Sequence, residues 1–420
     1  MRPWILAGFI GAIIVSCSSG ARPWIDAASG AFYPPDIPQD VAAAHLFAGG
    51  TSPYGPVIRQ MHSQLTGLPI AQTYPYFPHP PFSLIVSLFS AYVPLRTAAL
   101  IWFALSLALV FLLAALLAEN ASDAGVGESA PVSHAAVLGF FGLLILWPPV
   151  LYNLEKGQWS LLLAVLVALG WKSLACGQQR RGGGLIGAAA AVKVFPVVLG
   201  GYLLMRSRRA FAWFLTVGAV LTAGPLLWIG WDAFPAFVRQ SQYNLPNWEA
   251  FPSVMYSIHG ALARLFVGGE WARPAVHAPA LVRWIEAPVT LALFGLAIAA
   301  TRRAPQDYRT AAARASFAAW CVLLAVINPQ SMGHNGLFLA LPFVLTARVL
   351  IHDRRRWPKF AWATALVLTS IPRQTLWPAL TPVGPIEGIA VIALPMWGAL
   401  VLFAVALACA RNPVKPPQLC

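Results

Sequence analysis

Arg180-Arg181-Gly-Gly-Gly-Leu185-Ile-Gly-Ala-Ala-Ala-Ala-Val-Lys193-Val-Phe-Pro196-Val-Val-Leu-Gly-Gly-Tyr-Leu-Leu-Met205-Arg206-Ser-Arg208-Arg209 is the stretch on which the architecture turns. Its apolar part, Leu185–Met205, has the length of one membrane-crossing helix. Arginines stand at both of its ends, and basic residues collect in loops that stay in the cytoplasm. A single crossing would force one cluster to the far side. A hairpin of two short helices, with its apex near Lys193-Val-Phe-Pro196, keeps both clusters inside. Proline suits that apex because it lacks the amide hydrogen a continuous helix needs, and a broken helix is tolerated where it lines a protein-walled cavity.

The rest of the chain agrees with a membrane setting. Of 420 residues, 58% are hydrophobic and 10% charged, against about 25% charged in soluble domains. Apolar runs recur from Ala98–Ala118 to Ile386–Ala410, so the chain reads as an all-α polytopic membrane protein. The net charge of +14 would raise nucleic acid as a partner in a soluble protein. Here cytoplasmic loops account for it, and no nucleic acid partner is expected. Cys17, Cys176, Cys321, Cys409 and Cys420 are scattered, with neither disulfide nor zinc spacing.

With the hairpin in place, Arg180/Arg181, Arg206–Arg209, Arg302/Arg303/Arg309, Arg354–Lys359 and the tail Arg411/Lys415 all fall inside. The result is a bundle of about twelve transmembrane helices, some short, with both termini cytoplasmic. Met1–Gly20 reads as a retained signal-anchor. The loop Glu119–His134 has no lysine or arginine, so its cytoplasmic placement rests on parity alone. Pro80–Tyr92 is too short to span and suits a helix lying on the outer surface.

Residues 1–420 are read as one integral membrane unit, with a large extracytoplasmic first loop over 20–96 carrying interfacial helices and a second large loop over 232–286. Smaller external segments are Tyr152–Gln158, Asn328–Asn335 and Pro372–Pro385. Transporters place their polar groups at the bilayer midplane within broken helices, whereas this chain concentrates polar variety in its external loops. That points to chemistry at the outer interface.

The first loop contains Tyr33-Pro-Pro-Asp36-Ile-Pro-Gln-Asp40, Gly49-Gly-Thr-Ser-Pro-Tyr54 and Tyr74-Pro-Tyr-Phe-Pro-His79-Pro-Pro81. Asp36 and Asp40 share a face if Asp40 opens a helix over Val41–Ala48. Either carboxylate is placed to take a proton from an attacking hydroxyl, or simply to cap the helix, the commoner use at that spacing. Lys193 is the more unusual residue, since a lysine in the membrane costs about 2.5–3.5 kcal/mol on insertion scales. An anion such as a phosphate at the outer leaflet would answer that cost, and snorkelling to the interface is the bland alternative. His334 lies in the polar turn Asn328-Pro-Gln-Ser-Met-Gly-His334-Asn335, where a hydrogen-bonding turn residue is commoner than a catalyst. Asn153, Glu155, Lys156, Gly157 and Gln158 form a similar cluster. His45, His62 and His79 with Asp36 have spacing too wide and irregular for a metal site.

The order Asp36-Ile37, Ala-Ala, Gly50-x-x-x-Tyr54, His79-Pro-Pro, Gly157-Gln158, Gly184 to Pro196 with Lys193, and Asn328-Pro-x-Ser-x-x-His334 resembles glycosyltransferase family 87, of the GT-C superfamily. The resemblance implies a GT-C-like bundle whose first external loop carries a catalytic aspartate, matched best by Asp36 and next by Asp40. It implies that Lys193, Gln158, His334, Tyr54 and His79 serve donor or substrate binding. The chain departs from the usual pattern at Met332 and Gly333, where the family tends to have Trp-Asp.

The expected activity is transfer of a sugar, mannose by the resemblance, from a polyprenyl-phosphate-linked donor to a lipid or glycan acceptor, with membrane lipids as surroundings. A phosphate leaving group can be met by fixed cations, so no cofactor and no divalent metal is expected. The competing readings are a lipid-linked-sugar flippase or transporter, which would line its helices with polar residues at mid-depth, and a non-catalytic assembly protein, which would have no use for a buried lysine opposite a loop carboxylate.

Overall fold

The computed structural model describes residues 36–73, 77–122, 133–248, 255–268, 272–371 and 384–411. The expected N-terminal signal-anchor, most of the Glu119–His134 loop, most of Pro372–Pro385 and the tail beyond Arg411 lie outside the described residues.

The elements are helical throughout. In chain order they are α1 (Ile37–Ala48), α2 (Val57–Thr66), α3 (Phe82–Ser87), α4 (Leu95–Ala121), α5 (His134–Leu146), α6 (Pro148–Lys156), α7 (Ser160–Ala175), α8 (Gln179–Val192), α9 (Val198–Arg206) and α10 (Arg208–Ile229). There follow α11 (Ala233–Trp248), α12 (Ile258–Phe266), α13 (Pro279–Arg303), α14 (Ala311–Val326), α15 (Ala340–Ile351), α16 (Trp357–Thr369), α17 (Pro385–Ala390) and α18 (Leu394–Arg411). Among the described residues five helices are long and apolar enough to cross a membrane, and a sixth span arises if α5 and α6, bent by 62°, count as one. The protein is a polytopic, membrane-embedded helical bundle.

Hydrogen bonds between distant segments sort the helix ends into two sets. At one end Lys172 pairs with Glu119 at 2.7 Å and Arg348 donates to the Asn120 carbonyl at 3.2 Å. There too Arg206 reaches the carbonyls of Ala304 and Pro305, and Arg309 that of Ala175. At the other end Trp147 donates to Ser370, Ser160 to Asn335 and Trp228 to the Phe47 carbonyl. The first set carries the arginine clusters. Glu119, whose placement in sequence rested on parity alone, is tied to that set through Lys172.

The expected hairpin is present. α8 stops at Val192, a short 3-10 turn occupies Phe195–Val197, and α9 returns to Arg206. Ser207 Oγ then donates to Gln179 Oε1 at 2.9 Å, which places the end of α9 beside the start of α8. α10 runs up alongside α8 with backbones in contact. A Cβ on Gly183 would meet the Ala210 carbonyl oxygen at 2.0 Å, and one on Gly187 that of Phe214 at 2.4 Å. Small residues four apart permit such close approach between membrane helices. Gly183→Ala is therefore expected to lower the melting temperature in detergent sharply. Gly184→Ala, whose Cβ meets only Val217 Cγ2 at 3.2 Å, should cost much less. Equal melting temperatures for the two variants would contradict this packing.

Two boundaries differ from the sequence expectation. Phe82–Tyr92 does not lie bare on the outer surface: Ser83, Leu84, Ser87 and Ser90 are buried, and this segment packs on α1 and α10. Its serine hydroxyls return to the preceding turn of backbone, which removes their need for water. The 232–286 segment carries α11 and α12, and α13 begins at Pro279, ahead of the apolar run that starts at Pro288. Pro279 starts that helix at no cost in backbone bonding.

Candidate active site

α1 begins at Ile37, earlier than Val41, because Pro38 is pre-set for a first helical turn. This corrects the expectation that Asp40 opens the helix: Asp36 occupies the N-cap position and Asp40 lies in the first turn. The Asp36 side chain makes no cap hydrogen bond. It accepts instead from Gln158 Nε2 at 2.5 Å, while its backbone N–H donates to the Lys156 carbonyl at 3.1 Å.

Gln158 is delivered by Gly157, which ends α6 at φ +77°, a conformation that favours glycine. Its other amide atom faces the hairpin apex. Lys193 has left the helix for extended backbone, and its Nζ donates to Gln158 Oε1 at 2.5 Å. One amide thus stands between an ammonium and a carboxylate, oriented by both. Without it, the two charges would be free to collapse into a direct pair, and neither would be available to a substrate.

Asp40 is buried on the same face of α1. Trp159 Nε1 donates to its Oδ2 at 2.8 Å, and His79 Nε2 stands 3.6 Å from its Oδ1. Burial pushes its carboxyl up to about 7, helped by the charge of Asp36 and opposed by the Trp159 hydrogen bond and by Lys193. Burial and the Lys193 charge hold His79 well below the usual imidazole range, so it is neutral. Tyr54 donates its hydroxyl to the His79 carbonyl at 2.8 Å and packs against Phe77 and Phe237. Tyr54 and His79 therefore brace Asp40 from behind.

This raised carboxyl has a stability consequence. The folded form holds a proton up to about pH 7, whereas the unfolded chain releases it near 3.8. The stability contributed by protonation is complete below 3.8 and is lost as pH rises through 7. Asp40→Asn keeps the Trp159 bond and carries no charge, so its melting-temperature advantage over the wild type should grow from pH 5 to pH 8. An advantage that stays flat would mean Asp40 is ionised throughout.

His334 sits in a 3-10 turn over Gly333–Leu339 and is buried against Tyr152, with ring planes 9° apart and centroids 5.9 Å apart. The departure at Gly333 has a steric reason. A Cβ there would stand 3.0 Å from both Tyr152 Cδ1 and Tyr256 Cε2. Lys156 Nζ lies 5.5 Å from the Tyr152 ring centre and 3.2 Å from Glu155. Asn335, next to His334, receives the Ser160 hydroxyl at 3.3 Å. The fold thus gathers Asp36, Asp40, Gln158, Lys193 and His79 into one network at the end away from the arginine clusters, with Tyr54 behind it. His334 approaches through Tyr152.

Among the described residues no three His, Cys, Asp or Glu side chains converge as metal ligands, so His45, His62 and His79 do not assemble with Asp36. The sequence reading missed Trp159, Tyr152 and Tyr256. Trp159 was adjacent to a residue already singled out, whereas Tyr256 has no signal without the fold.

The sequence pattern of glycosyltransferase family 87 matches residues 77–326, well over half of the chain. The chain belongs to glycosyltransferase family 87. It is a membrane glycosyltransferase, an enzyme that takes sugar from a donor to an acceptor. His79, Gln158 and Lys193 lie within the matched stretch, while Asp36, Asp40, Tyr54 and His334 lie outside it. No curated protein matches the chain.

Proposed function

We propose that this family 87 enzyme transfers mannose from a polyprenyl-phosphate donor to a hydroxyl of a lipid or glycan acceptor, at the extracytoplasmic face of the inner membrane. The observation that carries the reading is the Asp36–Gln158–Lys193 chain at the end of the bundle opposite the arginine clusters. Basic loops stay in the cytoplasm, so the opposite end faces out. The architecture in this reading is a GT-C-like bundle of about twelve transmembrane helices, counting short ones, with external loops over 20–96 and 232–286.

In the reaction Asp36 takes the proton from the acceptor hydroxyl as its oxygen attacks the anomeric carbon. The bond from that carbon to the phosphate oxygen breaks, and its electron pair leaves on polyprenyl phosphate. Lys193 meets the negative charge of that phosphate, and His334 stands on the same side as a further donor. Asp36 is partly exposed and Asp40 buried, so Asp36 is the carboxylate an acceptor reaches, and Asp40 positions the first turn of α1. Lys193 supplies the positive charge, and the reading calls on no cofactor or divalent metal.

Proteoliposomes carrying labelled polyprenyl-phosphate-mannose separate this reading from a lipid-linked-sugar flippase. Transfer removes the label from polyprenyl phosphate and leaves it on a new product. A label that stays on its original lipid and only changes leaflet would overturn the proposal.

A further inference from the structure

At the end of the bundle opposite the Asp36 network, the last turns of α9 build a second feature that the transfer reaction does not use. Tyr202 and Arg206, one helical turn apart, are buried among aromatic rings. Tyr308 stands 6.4 Å from Tyr202 and 6.2 Å from Trp171 of α7, centroid to centroid, and Phe317 of α14 packs on Trp171 at 4.6 Å and on Tyr202 at 5.0 Å. The Arg206 guanidinium lies over the Tyr308 ring, 5.1 Å from its centre. In this ring cluster Trp171 Nε1, Tyr202 Oη, Tyr308 Oη and Arg206 Nε are all buried with no hydrogen-bond partner among the described residues. The Tyr202 hydroxyl lies near Ser316 and the Tyr308 hydroxyl near Arg206, but neither approach reaches hydrogen-bond geometry. The Ser316 hydroxyl donates instead to the Ala313 carbonyl at 2.9 Å.

The four atoms share one property. Indole and guanidinium nitrogens only donate, and a phenol hydroxyl has a proton to give. Buried polar groups in folded proteins find partners, so what answers this set is an acceptor. Charge narrows the choice. Two Arg206 nitrogens donate to the Ala304 and Pro305 carbonyls, and the Tyr308 ring face offsets part of the positive charge. No acidic side chain pairs with Arg206 among the described residues. Asp307, beside Tyr308 in the chain, is exposed and accepts from the Arg309 N–H at 2.9 Å. A guanidinium removed from water calls for a counter-charge. A water accepts two of these protons and supplies no charge, whereas a small anion accepts all of them and supplies it.

We infer that Trp171, Tyr202, Arg206 and Tyr308 enclose a binding site for a small monovalent inorganic anion, of which chloride is the natural probe. Trp171 and Tyr202 have no exposed surface, which argues against a headgroup that must stay joined to a lipid. Occupied, the site ties α9, the return arm of the hairpin, to α7, to the 304–308 segment and to the first turns of α14. It uses neither Asp36 nor Lys193, so it stands whatever sugar or donor the enzyme takes.

The test follows the melting temperature of the full chain in detergent as chloride replaces gluconate at constant ionic strength. The wild type should gain stability saturably, as with any ligand that binds the folded form alone. Bromide should give the same saturable rise, and gluconate, too large for the ring cluster, none. Tyr202→Phe and Tyr308→Phe keep their rings and lose one donor each. Each should raise the half-saturating chloride concentration about tenfold, the worth of one hydrogen bond to a charged group, while its melting temperature in gluconate stays near wild type. The double variant should not respond to chloride. Should it fail to fold, the two single variants carry the comparison. A wild type that melts at the same temperature in chloride and in gluconate overturns the site and leaves the cluster to water. A chloride response that never saturates, or that survives unchanged in both single variants, also overturns it, because the anion then acts elsewhere on the protein.

Discussion

Asp36→Asn lowers sugar transfer by about 10²–10⁴-fold, the usual worth of a general base, while leaving protein abundance, melting temperature and donor affinity near wild type. The amide keeps the shape of the side chain, and its oxygen can still accept the hydrogen bond from Gln158 Nε2. What it cannot do is take a proton. Asp36 makes no cap hydrogen bond to α1, so the helix loses nothing when the carboxylate goes. Asp40→Asn should be milder, because Asp40 is buried beneath Trp159 and His79 and no acceptor reaches it directly. Full activity in Asp36→Asn would remove Asp36 from the mechanism. A dead Asp40→Asn beside it would move the role one helical turn along α1.

Lys193→Met separates stability from chemistry. Methionine fills nearly the same length without a charge, so the membrane cost of an ammonium, about 2.5–3.5 kcal/mol on insertion scales, is relieved. Gln158 Oε1 loses its donor in exchange, a smaller loss. The melting temperature in detergent should hold or rise. Transfer should nonetheless fall by about 10²–10³-fold, the typical effect of removing one electrostatic stabiliser of a transition state. The loss belongs in donor affinity, and in turnover as well if the pairing tightens as the phosphate departs. Wild-type transfer would mean the lysine only snorkels. Unfolding would mean it holds the hairpin apex to Gln158 and Asp36 as a structural strut.

How much of this was legible in the sequence depends on how local the cause is. The hairpin was readable because two arginine clusters flank one apolar run, and the orientation of a membrane segment follows its flanking charges. Lys193 was readable because a lone cation in an apolar stretch demands a partner. That the partner would be Gln158, and that the same amide would hold Asp36, was not: residues 36, 158 and 193 meet only through tertiary packing. α1 starts at Ile37 and not at Val41 because Pro38, in the first turn, pre-sets the helix. Phe82–Tyr92 looked interfacial by length and composition, yet its serines satisfy their hydroxyls on their own backbone and the segment sinks into the bundle. Gly333 stood out in sequence as a departure, and only the rings of Tyr152 and Tyr256 explain it.

The most direct measurement of the account is single-turnover transfer from labelled polyprenyl-phosphate-mannose by wild type, Asp36→Asn and Lys193→Met, each purified and shown to be folded. The account predicts that label leaves polyprenyl phosphate with the wild type, that Asp36→Asn binds the donor but turns it over about 10²-fold more slowly or worse, and that Lys193→Met loses donor affinity. A wild type that leaves this donor intact, or an Asp36→Asn that turns it over at the wild-type rate, would contradict it.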